Sequence, residues 1–292
     1  VGFFEWYYKA HGGDVGFDPQ EKVTEDDECR IRTRNMMLLP DLVACDAAVT
    51  PTYWQHQQFP PEFAAKLRVI HDGIDVRYFA PAPDTKLVLS EPCLDLSSAK
   101  EIVTYVGRGM EPMRGFPQFM EAMSKLMKRR KQLHVVIVGT DQVSYGPPLP
   151  GGKGLKEAML KAFPYDMDRL HFTGALPYGA YKRVLQASTV HVYLSKPFVL
   201  SWSMLEAMSC GCTLVASDTS PVREVVTHGE NGLLAPFFDT DRLSDTVEEA
   251  LANADLRKRL GMNARQTAVS RYDMENTLPQ HLRVLENAAG RR

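Results

Sequence analysis

From Glu101 onward, short apolar runs alternate with helical patterns, and this alternation leaves few folds open to the chain. Ile102-Val-Thr-Tyr-Val-Gly107 is a β-branched run closed by glycine. It is followed from Phe116 to Met127 by apolar residues at three- and four-residue spacing, ending in the basic run Lys128-Arg-Arg-Lys131. Leu133–Gly139, Leu170–Gly174, Val190–Leu194 and Thr213–Ser217 are further strand patterns, each leading into a candidate helix. Nearly continuous apolar strands are those of a sheet buried on both faces, so a doubly wound, Rossmann-like parallel sheet is expected. Three amphipathic helix patterns, Asp241–Leu251, Asp255–Val269 and Met274–Leu285, close the chain.

Residues 1–95 are less regular. Val1-Gly-Phe-Phe, Leu42–Val49 and Leu67–His71 read as strands, with Phe59-Pro-Pro between the last two and Ala80-Pro-Ala-Pro-Asp84 as a linker. They are expected to form part of a second α/β domain on residues 1–95, with the Rossmann-like domain on 96–270. Residues 271–292 would be a C-terminal helix packing back toward the first domain. The sequence opens inside a strand pattern with no polar leader, which suggests a first domain short of its beginning. A length of 292 residues favours two cores over one.

Charge and cysteine usage narrow the function classes. With 34 basic and 36 acidic residues, no global positive field points to nucleic acid, and any anion site must be local. Cys29, Cys45, Cys93, Cys210 and Cys212 are odd in number and include no CxxC pair, which fits free thiols in a reducing, cytoplasmic setting. No apolar run is long enough for a transmembrane helix; peripheral membrane association stays open. No H-x3-H pair or carboxylate cluster suggests a metal. His171 and His191 alternate with strand residues and read as core, whereas His71, before Asp72-Gly73, is placed to approach a cleft.

Ligands of open α/β sheets sit beyond the carboxyl ends of the strands, and three such ends are chemically loaded here. In Gly107-Arg108-Gly109-Met-Glu-Pro-Met-Arg114-Gly115, glycines permit close approach and two arginines have the bidentate geometry that suits a diphosphate. Taken alone, the segment also reads as a solvated loop. In Lys196-Pro-Phe-Val-Leu-Ser201-Trp202-Ser203-Met204-Leu-Glu206, a helix start offers N–H groups and hydroxyls as a phosphate cradle. Ser203 to Glu206 is equally a capping-box pattern, and Trp202 is by default a core aromatic. Ser217-Asp218-Thr-Ser-Pro221 with Glu224, and His228-Gly-Glu-Asn231-Gly232, read first as a helix start and a turn.

Taken together, Tyr-Val-Gly-Arg108, Arg114-Gly, Val-Gly139, Phe-Thr-Gly174, Leu-Glu206-Ala-Met-Ser-Cys-Gly-Cys, Ala-Ser-Asp218, Glu224 and Asn231-Gly-Leu-Leu resemble the donor domain of glycosyltransferase family 4. These are retaining enzymes of GT-B architecture. Thr50-Pro-Thr-Tyr-Trp-Gln55 and Val69-Ile-His-Asp-Gly-Ile-Asp75 resemble the end of that family's first domain. The resemblance implies a nucleoside diphosphate sugar as donor, a saccharide or other hydroxyl as acceptor, and no metal or cofactor. It gives Arg108 and Arg114, beside Gly107, to the diphosphate. It also gives Glu206 to the ribose hydroxyls, the Ser201–Met204 backbone to the distal phosphate, and backbone at Ala175 and Leu176 to the nucleobase. The sequence departs from the family where an acid eight residues before Glu206 is usual: Phe198 stands there, and Lys196 nearby. Glu5 is a weak candidate for a catalytic group of the first domain. Alternatives are a nucleotide-sugar-binding protein without transfer activity, and an epimerase or phosphorylase on the same architecture.

Overall fold

A computed structural model describes residues 1–4, 16–19, 22–142, 144 and 154–290. The first part holds a parallel sheet of β1 (Gly2–Phe3), β2 (Ala48–Thr50) and β3 (Leu67–Val69), in that order. Around it lie α1 (Glu25–Met36), α2 (Leu39–Ala44) and α3 (Tyr53–His56). The expected strand from Leu42 is therefore shorter than its apolar run: Leu42-Val-Ala44 ends α2, and only Ala48–Thr50 pairs. Pro40 explains this, since its fixed φ and missing N–H suit a first helical turn and exclude a central strand. Phe4, Leu42, Ala48, Phe59 and Leu67 form the small core.

A hairpin of β4 (Val88–Leu89) and β5 (Leu94–Asp95) leads into the large sheet. That sheet contains β6 (Glu101–Gly109), β7 (Leu133–Thr140), β8 (Leu170–Gly174), β9 (Val190–Tyr193), β10 (Leu214–Ser217) and β11 (Leu233–Ala235). The strand order is β11-β10-β9-β6-β7-β8, parallel throughout. The connecting and terminal helices are α4 (Phe116–Arg129), α5 (Leu155–Ala162), α6 (Tyr178–Gln186), α7 (Trp202–Ser209), α8 (Ser220–Arg223), α9 (Thr240–Ala252), α10 (Ala254–Tyr272) and α11 (Met274–Ala289).

The period-two geometry of β6 sends Val103 and Tyr105 to one face, against Phe119, Met123 and Leu126 of α4 and Leu243 and Val247 of α9. Ile102 points the other way, toward Leu89 and Leu96 of the hairpin and Val184 of α6. Each large apolar side chain buried in this way contributes roughly 1.5–3 kcal/mol. β6 lies between β7, which follows it, and β9, which comes much later, so strand order reverses at β6 and a crevice opens beyond the ends of β6 and β9.

The two sheets are tied by the last helices. Ile74 bridges Asp273, its N–H donating to the Tyr272 carbonyl at 2.7 Å. Arg265 donates to the carbonyls of Val76 and Phe79 at 2.8 and 2.9 Å. On α11, His281 bonds the His71 carbonyl at 3.2 Å, and its ring lies 5.8 Å from that of Phe3. Among the described residues no helix is long and apolar enough to cross a membrane.

His191 is fully buried on β9, as expected, with Nδ1 2.8 Å from Thr104 Oγ1. Burial pushes its pKa down to about 3. The unfolded chain takes up this proton below about pH 6.5 and the folded chain does not, so stability falls as pH drops through that window. Between pH 7 and 5 this one group should cost about 2 kcal/mol. Urea unfolding of the parent and of His191→Asn at both pH values should show the parent losing that much more; equal losses would mean that His191 does not drive the acid sensitivity.

Candidate active site

The loop after β6 is built on two close approaches. Gly139, at φ +136°, leaves so little room that a Cβ there would stand 2.0 Å from the Gly107 carbonyl oxygen. Gly115, at φ +65°, ends a 3-10 turn over Pro112–Arg114 and starts α4 against Leu194. Between Gly107 and Gly115 the two arginines have different surroundings. Arg108 is exposed, and its carbonyl accepts from Thr140 Oγ1 at 3.0 Å. Arg114 is buried rather than a solvated loop residue. One of its terminal nitrogens donates to Tyr193 Oη, Ser195 Oγ and the Val199 carbonyl at 3.0, 2.9 and 3.0 Å, so two hydrogens serve three acceptors. Its carbonyl accepts from Tyr105 Oη at 2.9 Å. Phe198, standing where an acid was the family expectation, presents its ring 5.3 Å from the Arg114 guanidinium carbon, within cation–π range. Lys196 pairs with Asp18 at 3.2 Å, and its N–H donates to the Met113 carbonyl, fastening the loop after β9 to the loop after β6.

The start of α7 corrects two expectations. Ser201, not Ser203, is the N-cap: its Oγ accepts from the Ser203 N–H at 3.3 Å and lies 2.8 Å from Ser203 Oγ. Glu206 therefore falls in the second helical turn, too deep to close a capping box, and its Oε2 instead accepts from Tyr181 Oη at 2.5 Å. The side chain is buried, and burial raises its pKa although the Tyr181 bond works against that. The phosphate cradle is also narrower than the sequence suggests. Ser201 N–H donates to Tyr193 Oη, Ser203 N–H to Ser201 Oγ and Met204 N–H to the Ser201 carbonyl, which leaves the Trp202 N–H uncommitted among the described residues. Trp202 is not a core aromatic. Its side chain is 52% exposed, and Nε1 donates to Asp72 Oδ2 of the other domain at 2.9 Å.

Beyond β8, Ala175 is exposed and Leu176 half-buried. Ala175 lines a groove of about 570 Å³ with Thr173, Pro177, Arg183 and the hairpin residues Leu89 and Glu91. At the C-terminus of α8, Glu224 accepts N–H bonds from Tyr53, at 2.9 Å, and Trp54, so a carboxylate of the large domain caps α3 of the small one. Burial raises the Glu224 pKa, and the two N–H bonds oppose the rise. Asp218 pairs with Arg223, and Asn231 holds its turn by accepting from the Thr227 N–H, so the helix start and the turn expected here are both present. His71 does not reach the cleft. It is buried against the Tyr272 ring, and its Nδ1 accepts from the Gly73 N–H at 3.0 Å because the Asp72-Gly73 turn folds back on it. Glu5 lies outside the described residues. Sequence reasoning missed Tyr181, Tyr193 and Ser195. For the last two the available signal was their position at the carboxyl end of β9.

An open parallel sheet whose crossover carries these arginines, set against a second α/β domain, defines the GT-B class of fold. The chain belongs to the group 1 glycosyl transferases, whose family profile matches residues 94–267; the glycosyl transferase family 4 group profile matches residues 1–79. It is 28% identical over 181 residues to the alpha-D-kanosaminyltransferase of Streptomyces kanamyceticus, covering 60% of this chain and 42% of that protein. With a D-inositol 3-phosphate glycosyltransferase of Gordonia bronchialis it shares 26% identity over 239 residues, covering 78% and 49%. The chain thus spans about half the length of such relatives. Sucrose-phosphate synthase from Thermosynechococcus elongatus superposes with a TM-score of 0.75 at 22% identity, over 97% of this chain and 67% of that one. Anabaena Alr3699/HepE, solved with UDP, gives 0.72 at 19%, over 94% and 71%.

Proposed function

We propose that the chain carries the donor site of a retaining glycosyltransferase that moves a hexose-type sugar from a nucleoside diphosphate sugar to an acceptor hydroxyl. The observation that supports this best is the meeting of Arg114 and the α7 N-terminus at Tyr193, on the crossover between β6 and β9, with Arg108 at the carboxyl end of β6. Cleavage of the sugar–phosphate bond leaves negative charge on the departing diphosphate. Fixed guanidinium and N–H donors stabilise that charge without reorganising, so in this reading the work falls to side chains and no metal ion is assigned a part. The Glu206 carboxylate has acceptor capacity beyond its Tyr181 bond and suits a ribose diol. The groove lined by Ala175, with Leu176 beside it in sequence, suits the base. The second domain would bring the acceptor, and closure over the crevice would keep water from the sugar. The relatives' transferase names agree with this reading, as does the UDP in the Anabaena structure.

Thermal unfolding with UDP, GDP, TDP and ADP and their sugars tests the proposal. A ligand at one hundred times its Kd adds about 2.7 kcal/mol, so one base series should stand out. No shift with any nucleoside diphosphate or its sugar would remove the proposal. Within the responding series, Glu206→Gln should bind the ribonucleotide roughly tenfold more weakly, with stability within about 1 kcal/mol of the parent because glutamine still accepts from Tyr181. A 2′,3′-dideoxy analogue should bind both proteins alike; unchanged ribonucleotide affinity would take Glu206 away from the ribose.

A further inference from the structure

Tyr193 ends β9 with its side chain 2% exposed, and its hydroxyl touches both phosphate-binding elements at once. The oxygen accepts from Arg114 at 3.0 Å and from the Ser201 N–H, at the N-cap of α7, also at 3.0 Å. A phenol oxygen accepts at most two such bonds and keeps one proton to donate. Among the described residues none accepts that proton. A buried O–H donor between a guanidinium and a helix start, both lone pairs filled by N–H groups, is arranged for an anionic oxygen.

We propose that Tyr193 is the hub of a phosphate subsite, setting Arg114 and the start of α7 in register and donating its own proton to a phosphate oxygen of the ligand. This rests on the donor-site reading above and adds to it a residue whose role comes from the two bonds its hydroxyl accepts. The hydroxyl orients a long, flexible arginine that would otherwise lose rotamer freedom on binding, and it couples that arginine to the helix dipole. The effect is specific to phosphate: base and ribose groups bind elsewhere in the crevice.

The test uses isothermal titration of UDP, GDP, uridine and guanosine into the parent chain and into Tyr193→Phe, with thermal midpoints recorded for both. The variant is expected to bind the preferred nucleoside diphosphate at least tenfold more weakly while nucleoside affinity stays within twofold. In an Arg114→Ala background the same change should weaken diphosphate binding by clearly less than tenfold, because its partner is already gone. A merely structural role would lower nucleoside and diphosphate affinity together, and that result overturns the proposal. Diphosphate affinity within twofold of the parent also overturns it while leaving the donor site standing. A parent chain that binds none of UDP, GDP, TDP and ADP would overturn both readings at once.

Discussion

Replacing Arg114 by alanine is expected to lower stability by about 3 kcal/mol and nucleoside diphosphate affinity by roughly a hundredfold, whereas Arg108→Ala should lower affinity alone. The difference follows from burial. Arg114 satisfies Tyr193, Ser195 and the Val199 carbonyl inside the protein and packs its guanidinium on Phe198. Its removal leaves buried acceptors without donors, each costing about 1–3 kcal/mol. Arg108 is exposed, and its recorded bond is made by its carbonyl, which alanine keeps. Its loss should shift stability by no more than about 0.5 kcal/mol. Arg114→Lys should fall between, since a single ammonium cannot span the same acceptors. Urea unfolding and titration of the preferred nucleoside diphosphate against its nucleoside separate the two effects. If both alanine variants lose affinity for nucleoside and diphosphate equally, neither arginine contacts phosphate.

A second large effect is expected from one methyl group. Gly139→Ala would place its Cβ 2.0 Å from the Gly107 carbonyl, at a φ of +136° that an L-residue rarely adopts. The obstacle is backbone rather than a mobile side chain, so the β6 end must move. The expected cost is about 3–5 kcal/mol, combining strain with overpacking. The same displacement carries Arg108 with it, so whatever folds should bind the preferred nucleoside diphosphate more weakly while the Glu206 end of the proposed site stays in place. An unfolding midpoint close to the parent's would show that β6 and β7 slide apart easily at this point.

What was legible in the sequence was what repeats. Five of the six strands of the large sheet follow from apolar runs closed by glycine or serine, and α4, α9, α10 and α11 from their helical spacing. Where several signals overlap, the reading goes astray. The apolar Leu42-Val-Ala suggested a strand although Pro40, two residues earlier, already favoured a helix. Helix α1 carries few apolar residues and went unread, yet Thr24 and Asp27 form a capping box at its start. Within the site, Glu206 matched the capping pattern, but the pattern does not say which serine begins the helix; Ser201 does, and that moves Glu206 into the second turn. Trp202 and Glu224 owe their places to partners some 130 and 170 residues away, and no local window contains those contacts.

The strand order also bears on how the chain reaches this structure in time. β7 pairs with β6 after a short crossover, but β9 must return to β6 across 87 residues, and joining Ile102 to Thr189 closes that whole loop. Loop-closure entropy grows with the logarithm of length, and parallel pairings at long separation are slow to form. The β6-β7-β8 segment can therefore gather early as one unit and β9-β10-β11 as another, with the seam between them joining last. Arg114 lies on one side of that seam and Tyr193 with Ser201 on the other. If the donor site proposed above is right, neither half alone holds all of it, so ligand affinity would be acquired at the final step of assembly, and a ligand added during refolding would act only on a sheet that is already joined.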